Sequence, residues 1–415
     1  MEKVKYMSFA LFAIFALTAC DEVVTYNKNY DDGLTPKGAP EITYISPVAY
    51  PDSVINSGEM NQMVVIHGEN LSQVKEILFN DQAVDLTEIY AVNKRITLLI
   101  PPREPETITN ELKITTSKGS AVSSFEVKFP PLIITGFSNE FGKAGETIEM
   151  YGKNLGIYGL TPTTADIRIN GEKVTVESGD NNAIRLILPV GITDNATMSV
   201  SSEKLLYRLG EPVELTYRDR GYTFIDWDDV EHPALVGCIT DGSKTGDPAP
   251  LIPGMNFMRW NAPVADWSWN FIVYFYIFDL DFESDPVLSD MKIHAADYEL
   301  KYEIFILAEN AIVNPIDEII VDLRNDKKMP KEDVLLPAAS GIPFSTYGRW
   351  YTMKLADTTK YVKADGSTIF SSEENYIAVV ITNATGKPSS FDVSMANFRF
   401  AKKIYFEKAP ESSNK

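Results

Sequence analysis

From Pro40 onward the apolar residues fall in short alternating runs, interrupted by Gly, Pro, Asn or Asp about every 8 to 12 residues. Alternation of period two places successive side chains on opposite faces of an extended chain, so each run reads as a strand with one buried face. Apolar spacing of the helical kind is nearly absent. The pattern predicts an all-β chain of packed sheets and argues against alternating strand and helix units.

The chain also repeats itself. Val64-Val65-Ile66-His67-Gly68-Glu69-Asn70-Leu71 aligns with Thr147-Ile148-Glu149-Met150-Tyr151-Gly152-Lys153-Asn154-Leu155, with Gly, Asn and Leu in register. Ile77-Leu78-Phe79-Asn80-Asp81 aligns with Ile167-Arg168-Ile169-Asn170-Gly171, and Ile96 to Pro101 aligns with Ile184 to Pro189. The offset runs from 84 residues (Gly68 to Gly152) to 90 (Asn80 to Asn170). Each unit opens with an extended segment after Pro40 or Pro131. Gly68 and Gly152 suit a sharp backbone bend, and Asn80-Asp81 and Asn170-Gly171 suit hairpin turns. The second unit carries an insertion, Gly156 to Thr163, whose Tyr158 is expected to form an exposed contact. The Gly-x-Asn-Leu string after a β run, the Asn-Asp or Asn-Gly turn and the strand ending in Pro resemble the IPT/TIG immunoglobulin-like fold. The resemblance implies two such sandwiches in tandem, at 40–129 and 130–217, acting as spacers.

Past Tyr217 the repeat stops. Four of the five Trp lie within 227–269, and apolar runs recur at Phe271 to Leu280, Leu300 to Leu307, Ile319 to Leu323, Trp350 to Leu355, Tyr376 to Ile381 and Val393 to Phe400. Residues 218–408 are therefore expected to form a larger β-sandwich of jelly-roll-like kind, followed by a disordered tail, 409–415.

Composition narrows the chemistry. The 415 residues carry 38 Lys+Arg against 58 Asp+Glu, a net charge of -20 that opposes binding to a phosphate backbone, so no nucleic acid partner is expected. Three His and two Cys leave an all-protein zinc or iron–sulfur site almost without ligands, and no cofactor is expected. Residues 1–19 join Lys3 and Lys5 to an apolar run, Phe9 to Leu17, too short for a comfortable membrane span and suited to an export signal. Leu17-Thr18-Ala19-Cys20 resembles the lipobox of bacterial lipoproteins, which implies lipidation of Cys20. Membrane contact would then be through that anchor alone. Asp21 and Glu22 behind it resemble a surface-export signal. Residues 20–39 read as a polar linker reaching roughly 60 Å when extended. With Cys20 lipidated, Cys238 has no partner for an intramolecular disulfide.

Sugar rings offer apolar C–H faces and equatorial hydroxyls, so their sites combine aromatic platforms with a few orienting polar groups. Arg259-Trp260-Asn261-Ala262-Pro263-Val264-Ala265-Asp266-Trp267-Ser268-Trp269-Asn270 supplies both. Trp267 and Trp269 are expected on one side of a strand about 6.7 Å apart. Trp269 shares a face with Phe271, Val273 and Phe275, which equally suits core. Trp260 and Trp267 flank a Pro-containing stretch that reads as a loop. Trp227, within Asp226-Trp227-Asp228-Asp229, is a further candidate, whereas Trp350 reads as core. Tyr347 and Arg349 are placed beside a ligand. Asp279, Asp281, Glu283 and Asp285 alternate; they have the spacing of a hydrolytic pair or a Ca²⁺ cage, but a solvated turn is the commoner use. No catalytic or metal-ligating residue is assigned.

In order, the lipobox, the tether, two IPT-like sandwiches and a Trp-bearing β domain resemble the surface glycan-binding protein B family. Asp226-Trp227-Asp228 and Met395-Ala396-Asn397-Phe398-Arg399-Phe400 resemble the first and last strands of its C-terminal domain. The resemblance implies a lipid-anchored outer-membrane protein that captures polysaccharide, such as a β-glucan or hemicellulose, without cleaving it. It would work beside a TonB-dependent transporter and its lid lipoprotein. An adhesin binding a protein partner, or a glycoside hydrolase, are the competing readings.

Overall fold

The computed structural model describes residues 35–225, 227, 238–307, 318–325, 348–368, 375–383 and 386–410. The export signal, Cys20, most of the linker, Tyr347 and Glu411 to Lys415 lie outside them.

The repeated Gly-x-Asn-Leu string has a division of labour. A Cβ on Gly68 would lie 1.8 Å from the Glu41 carbonyl oxygen, and one on Gly152 would lie 2.2 Å from that of Ile133. The glycines are therefore required by the close approach of a neighbouring strand and not by the expected bend. The left-handed backbone falls on the Asn, with φ 57° at Asn70 and 63° at Asn154. Their side-chain amides donate to the carbonyls of Ala39 (3.1 Å) and Pro131 (2.8 Å), fastening the start of each sandwich. Leu71 and Leu155 then enter the core. Asn170 and Gly171 both take positive φ, as a primed hairpin turn demands.

These devices build two immunoglobulin-like sandwiches. In the first, one sheet runs in the order 41–47, 63–69, 95–99, 90–92, and the other 82–83, 74–79, 111–116, 119–124. Alternate residues Ile77 and Phe79, Ile96 and Leu98, and Leu112 and Ile114 fill its interior. In the second, the sheets run 172–173, 166–169, 196–201, 213–217 and 175–179, 183–187, 147–153, 132–137, 406–408. The inserted segment is not an exposed contact: Tyr158 is fully buried, with the Arg208 guanidinium over its ring and the Ser202 hydroxyl donating to its carbonyl at 2.5 Å. Ser202 also caps the short helix Glu203–Leu209.

The last region is a pair of antiparallel sheets. The larger runs 239–240, 257–264, 389–402, 298–306, 350–357, with 222–225 also paired to 389–402; the smaller runs 268–278, 375–383, 318–325. Met258, Val264, Tyr302, Ile304, Met395 and Phe398 form its core together with Leu288 and Met291 of helix Pro286–Ile293.

The chain divides into two compact units, one reaching Pro130 and the other spanning Pro131–Lys408. Within the second, the final strand Phe406–Lys408 leaves the last sandwich and pairs with Leu132–Ile134 of the immunoglobulin-like sheet. A buried charge cluster joins the same two parts. Arg399 donates to both oxygens of Glu303 (2.9 Å each) and to Glu140 (2.7 Å), while Lys301 bonds Glu140 at 2.8 Å. Asn397 and Thr352 complete the shell of Glu303, and the Glu140 amide donates to the Thr352 hydroxyl. Burial alone would raise the Glu140 carboxyl, but Lys301 and Arg399 outweigh it and hold it below the ordinary value. Glu303, fully buried with Glu140 nearby, is raised.

Candidate functional site

The stretch read as a loop is a strand. Phe257–Val264 pairs with 389–402 from Met258 to its end, and on its other side, among the described residues, Phe257 and Met258 meet Thr240 and Ile239 and the Arg259 amide donates to the Cys238 carbonyl at 2.7 Å. By the same alternation as Arg259 the Pro263 nitrogen falls on the side away from 389–402, so its missing N–H costs no bond to that strand.

Strand alternation then separates the candidates. Met258 and Val264 point into the core, and Trp260, on the same face, packs partly buried against it. Arg259 and Asn261 point to the opposite face. There Arg259 binds Asp392 through Nε (3.0 Å) and Nη2 (2.9 Å) and Asp247 through Nη1 (2.7 Å). Asn261 donates to Asp392 at 3.1 Å, and Thr240 donates to Asp247. The Asp392 hydrogen bond leads the causes that raise the Arg259 guanidinium above its ordinary value. Arg259 therefore secures the 241–247 segment to the sheet, and Asn261 is the exposed polar group of that cluster. Asp247 and Asp392 were not among the candidates. Asp392, set in an apolar alternating strand, is the signal that marks the cluster.

Trp267 does not share a strand face with Trp269. The strand begins at Ser268, and Trp267 precedes it in a turn with φ 52°. The residue is 73 % exposed. The turn beneath is fixed, since Ala265 O accepts from Asn383 Nδ2 (3.1 Å) and Ser268 Oγ (2.5 Å). A bulky residue in the left-handed region costs on the order of 1–2 kcal/mol and persists where its surroundings hold it. An exposed indole on an anchored turn is a surface prepared for stacking. Trp269 pairs with Thr382 through its backbone.

Trp227 is corrected outright. It is fully buried, edge-on to Phe398 at 5.8 Å, and a stacking platform needs an accessible face. Trp350 is core as expected, donating through Nε1 to Ala249 O. Arg349 leans on Tyr351 (3.1 Å) and Thr147 O (3.4 Å), and Tyr347 lies outside the described residues. The acidic run is turn machinery: Asp281 accepts from the amides of Glu283 and Ser284, and Asp285 caps helix Pro286–Ile293 through Val287 and Leu288. Among the described residues no three His, Cys, Asp or Glu side chains are grouped as a metal site.

Comparison with known proteins places these features. Residues 217–402 match the family described as "Surface glycan-binding protein B xyloglucan binding domain". An "IPT/TIG domain-containing protein" of Bacteroides ovatus is 29% identical over 160 residues, covering 36% of this chain and 32% of that relative. The chain thus spans about a third of the length of that relative. Among solved structures, surface glycan-binding protein PbSGBP-B from Prevotella bryantii has a TM-score of 0.50 at 16% identity, over 88% of this chain and 99% of that one, a likeness of fold. SGBP-B from a complex xyloglucan utilization locus in Bacteroides uniformis has 16% identity and a TM-score of 0.42, over 88% and 99%.

Proposed function

We propose that this chain, which belongs to the surface glycan-binding protein B family, captures a plant-type polysaccharide at the cell surface without cleaving it, xyloglucan being the first ligand to test. The observation that carries the reading is Trp267, presented on its anchored turn inside the matched region. Trp260, a short step away in sequence and partly accessible, and Asn261 are the accompanying candidates. Stacking supplies affinity and polar side chains supply orientation. Weak single sites suffice because a polymer offers many epitopes to many tethered copies.

Lipidation at Cys20, outer-membrane attachment and delivery to a TonB-dependent transporter with its lid lipoprotein belong to the same reading. They rest on the lipobox-like sequence and the family resemblance.

Affinity electrophoresis of the fragment from residue 21 against a panel of β-glucans, hemicelluloses and host glycans, with reducing-sugar release assayed alongside, tests the proposal. Retardation by one glycan without sugar release is the expected result. Trp267→Ala should weaken that retardation about tenfold or more, the equivalent of about 1.4 kcal/mol, while leaving the thermal midpoint unchanged. Released sugar would turn the reading toward hydrolysis, and indifference to every glycan would turn it toward a protein partner.

A further inference from the structure

A cleft of about 880 Å³ lies where the second immunoglobulin-like sandwich meets the last domain. Its origin is visible in the repeat. In both sandwiches the first strand bulges at the same place, between Ile42 and Tyr44 and between Ile134 and Gly136. In the first sandwich Tyr44 pairs with His67 and stacks on its ring at 4.1 Å. In the second, Gly136 pairs with Tyr151, and a Cβ on Gly136 would meet no atom within 4 Å. The second sandwich thus has no ring at the position Tyr44 holds in the first, and the last domain forms the opposite wall.

The walls suit a hydroxyl-rich, uncharged ligand. Four lysines and three carboxylates line the cleft, so local charge is nearly balanced in a chain whose net charge is -20. Glu299, gripped by Lys354 at 2.7 Å, offers a carboxylate acceptor, and Lys301, committed to Glu140 and the Lys402 carbonyl, stiffens the wall. Tyr405 presents an aromatic ring at the rim, 57 % exposed and steadied by its hydroxyl donating to Glu407. Tyr151, whose hydroxyl donates to Glu149 at 2.9 Å, adds a second ring. The volume is within the roughly 300–1,000 Å³ usual for small-ligand sites.

We infer that this cleft is a second carbohydrate subsite, taking a short neutral segment of the same polysaccharide, with Tyr405 as its stacking residue. The inference rests on the glycan-capture reading and adds a site to it. Two subsites on one compact unit would raise affinity for a polymer above that for a single-repeat fragment.

Isothermal titration of the fragment from residue 21 with a single-repeat xyloglucan oligosaccharide tests it. The expected isotherm has two sites per chain. Thr135→Arg, which places bulk in the cleft from the exposed extra residue of the bulge, should leave one site. Tyr405→Ala should weaken the affected site about tenfold, and Tyr405→Phe should retain it. A single site in the unaltered protein, unchanged by Thr135→Arg and abolished by Trp267→Ala, would overturn the inference and leave the capture reading standing. No binding of any panel glycan would overturn both.

Discussion

The two immunoglobulin-like sandwiches share one motif and use the loop after their first strand in opposite ways. Aligned on the bulge, Val48 of the first corresponds to Glu140 of the second. Val48 is 42 % exposed and is followed by the exposed Tyr50 and Val54. Glu140 is 3 % exposed, within the run Ser138 to Phe141 that is buried throughout. The first sandwich closes on itself. The second has given its loop, its bulge and one sheet edge to the last domain through Glu140, Gly136 and the Leu132–Ile134 pairing. One fold thus carries two different loop chemistries, one solvent-facing and one built into the last domain.

The largest expected break in that comparison is at the charge cluster. Arg399→Met leaves Glu303 buried without its cation, which costs about 3–5 kcal/mol. Calorimetry should show the transition of the second unit falling while that of the first holds. Equal movement of both, or of neither, would refute a junction held by these charges. Trp227→Ala should cost a similar amount, about 3–5 kcal/mol for a large ring lost from a core, again in the second unit alone. Trp267→Ala is its control, with binding lost and stability kept.

A smaller effect tests the shared motif. Gly68→Ala and Gly152→Ala each drive a methyl into a neighbouring carbonyl, and each should destabilise its own unit by about 1–3 kcal/mol. A silent substitution at either position would mean that the strands part readily there and that the glycine is not required by packing.

The same contrast explains what was legible beforehand. Repeats, strand alternation and hairpin turns are local, so the all-β architecture and the two sandwiches could be read along the chain. The role of Gly68 could not, because the oxygen it makes room for belongs to Glu41, distant in sequence. The site was legible in composition and illegible in geometry. Alternation put Arg259 and Trp260 on opposite faces, and a left-handed turn removed Trp267 from the strand that was to align it with Trp269. Trp227 was a candidate among aspartates, yet it packs on Phe398 from the far end of the domain. Only the long-range pairing of the 389–402 strand decides such cases.

The smallest expected difference between the units is in acid. Asp290, in the last domain, accepts hydrogen bonds from Tyr298 (2.5 Å) and His294 (2.9 Å) and lies 3.3 Å from the Lys402 amine, which together hold its carboxyl down at about 2. The unfolded chain titrates at the ordinary 3.8, so the folded state keeps the charge longer. The resulting stabilisation is present above about pH 4 and is lost as the pH falls through 2. The Asp290 side chain is 36 % exposed, and solvent screening keeps the effect small. Asp290→Asn should therefore lower the urea midpoint of the second unit at pH 5, with the gap to the unaltered protein closing by about pH 2. A gap that stays constant over that range would mean that Asp290 acts through hydrogen bonds an amide does not reproduce, and not through its charge.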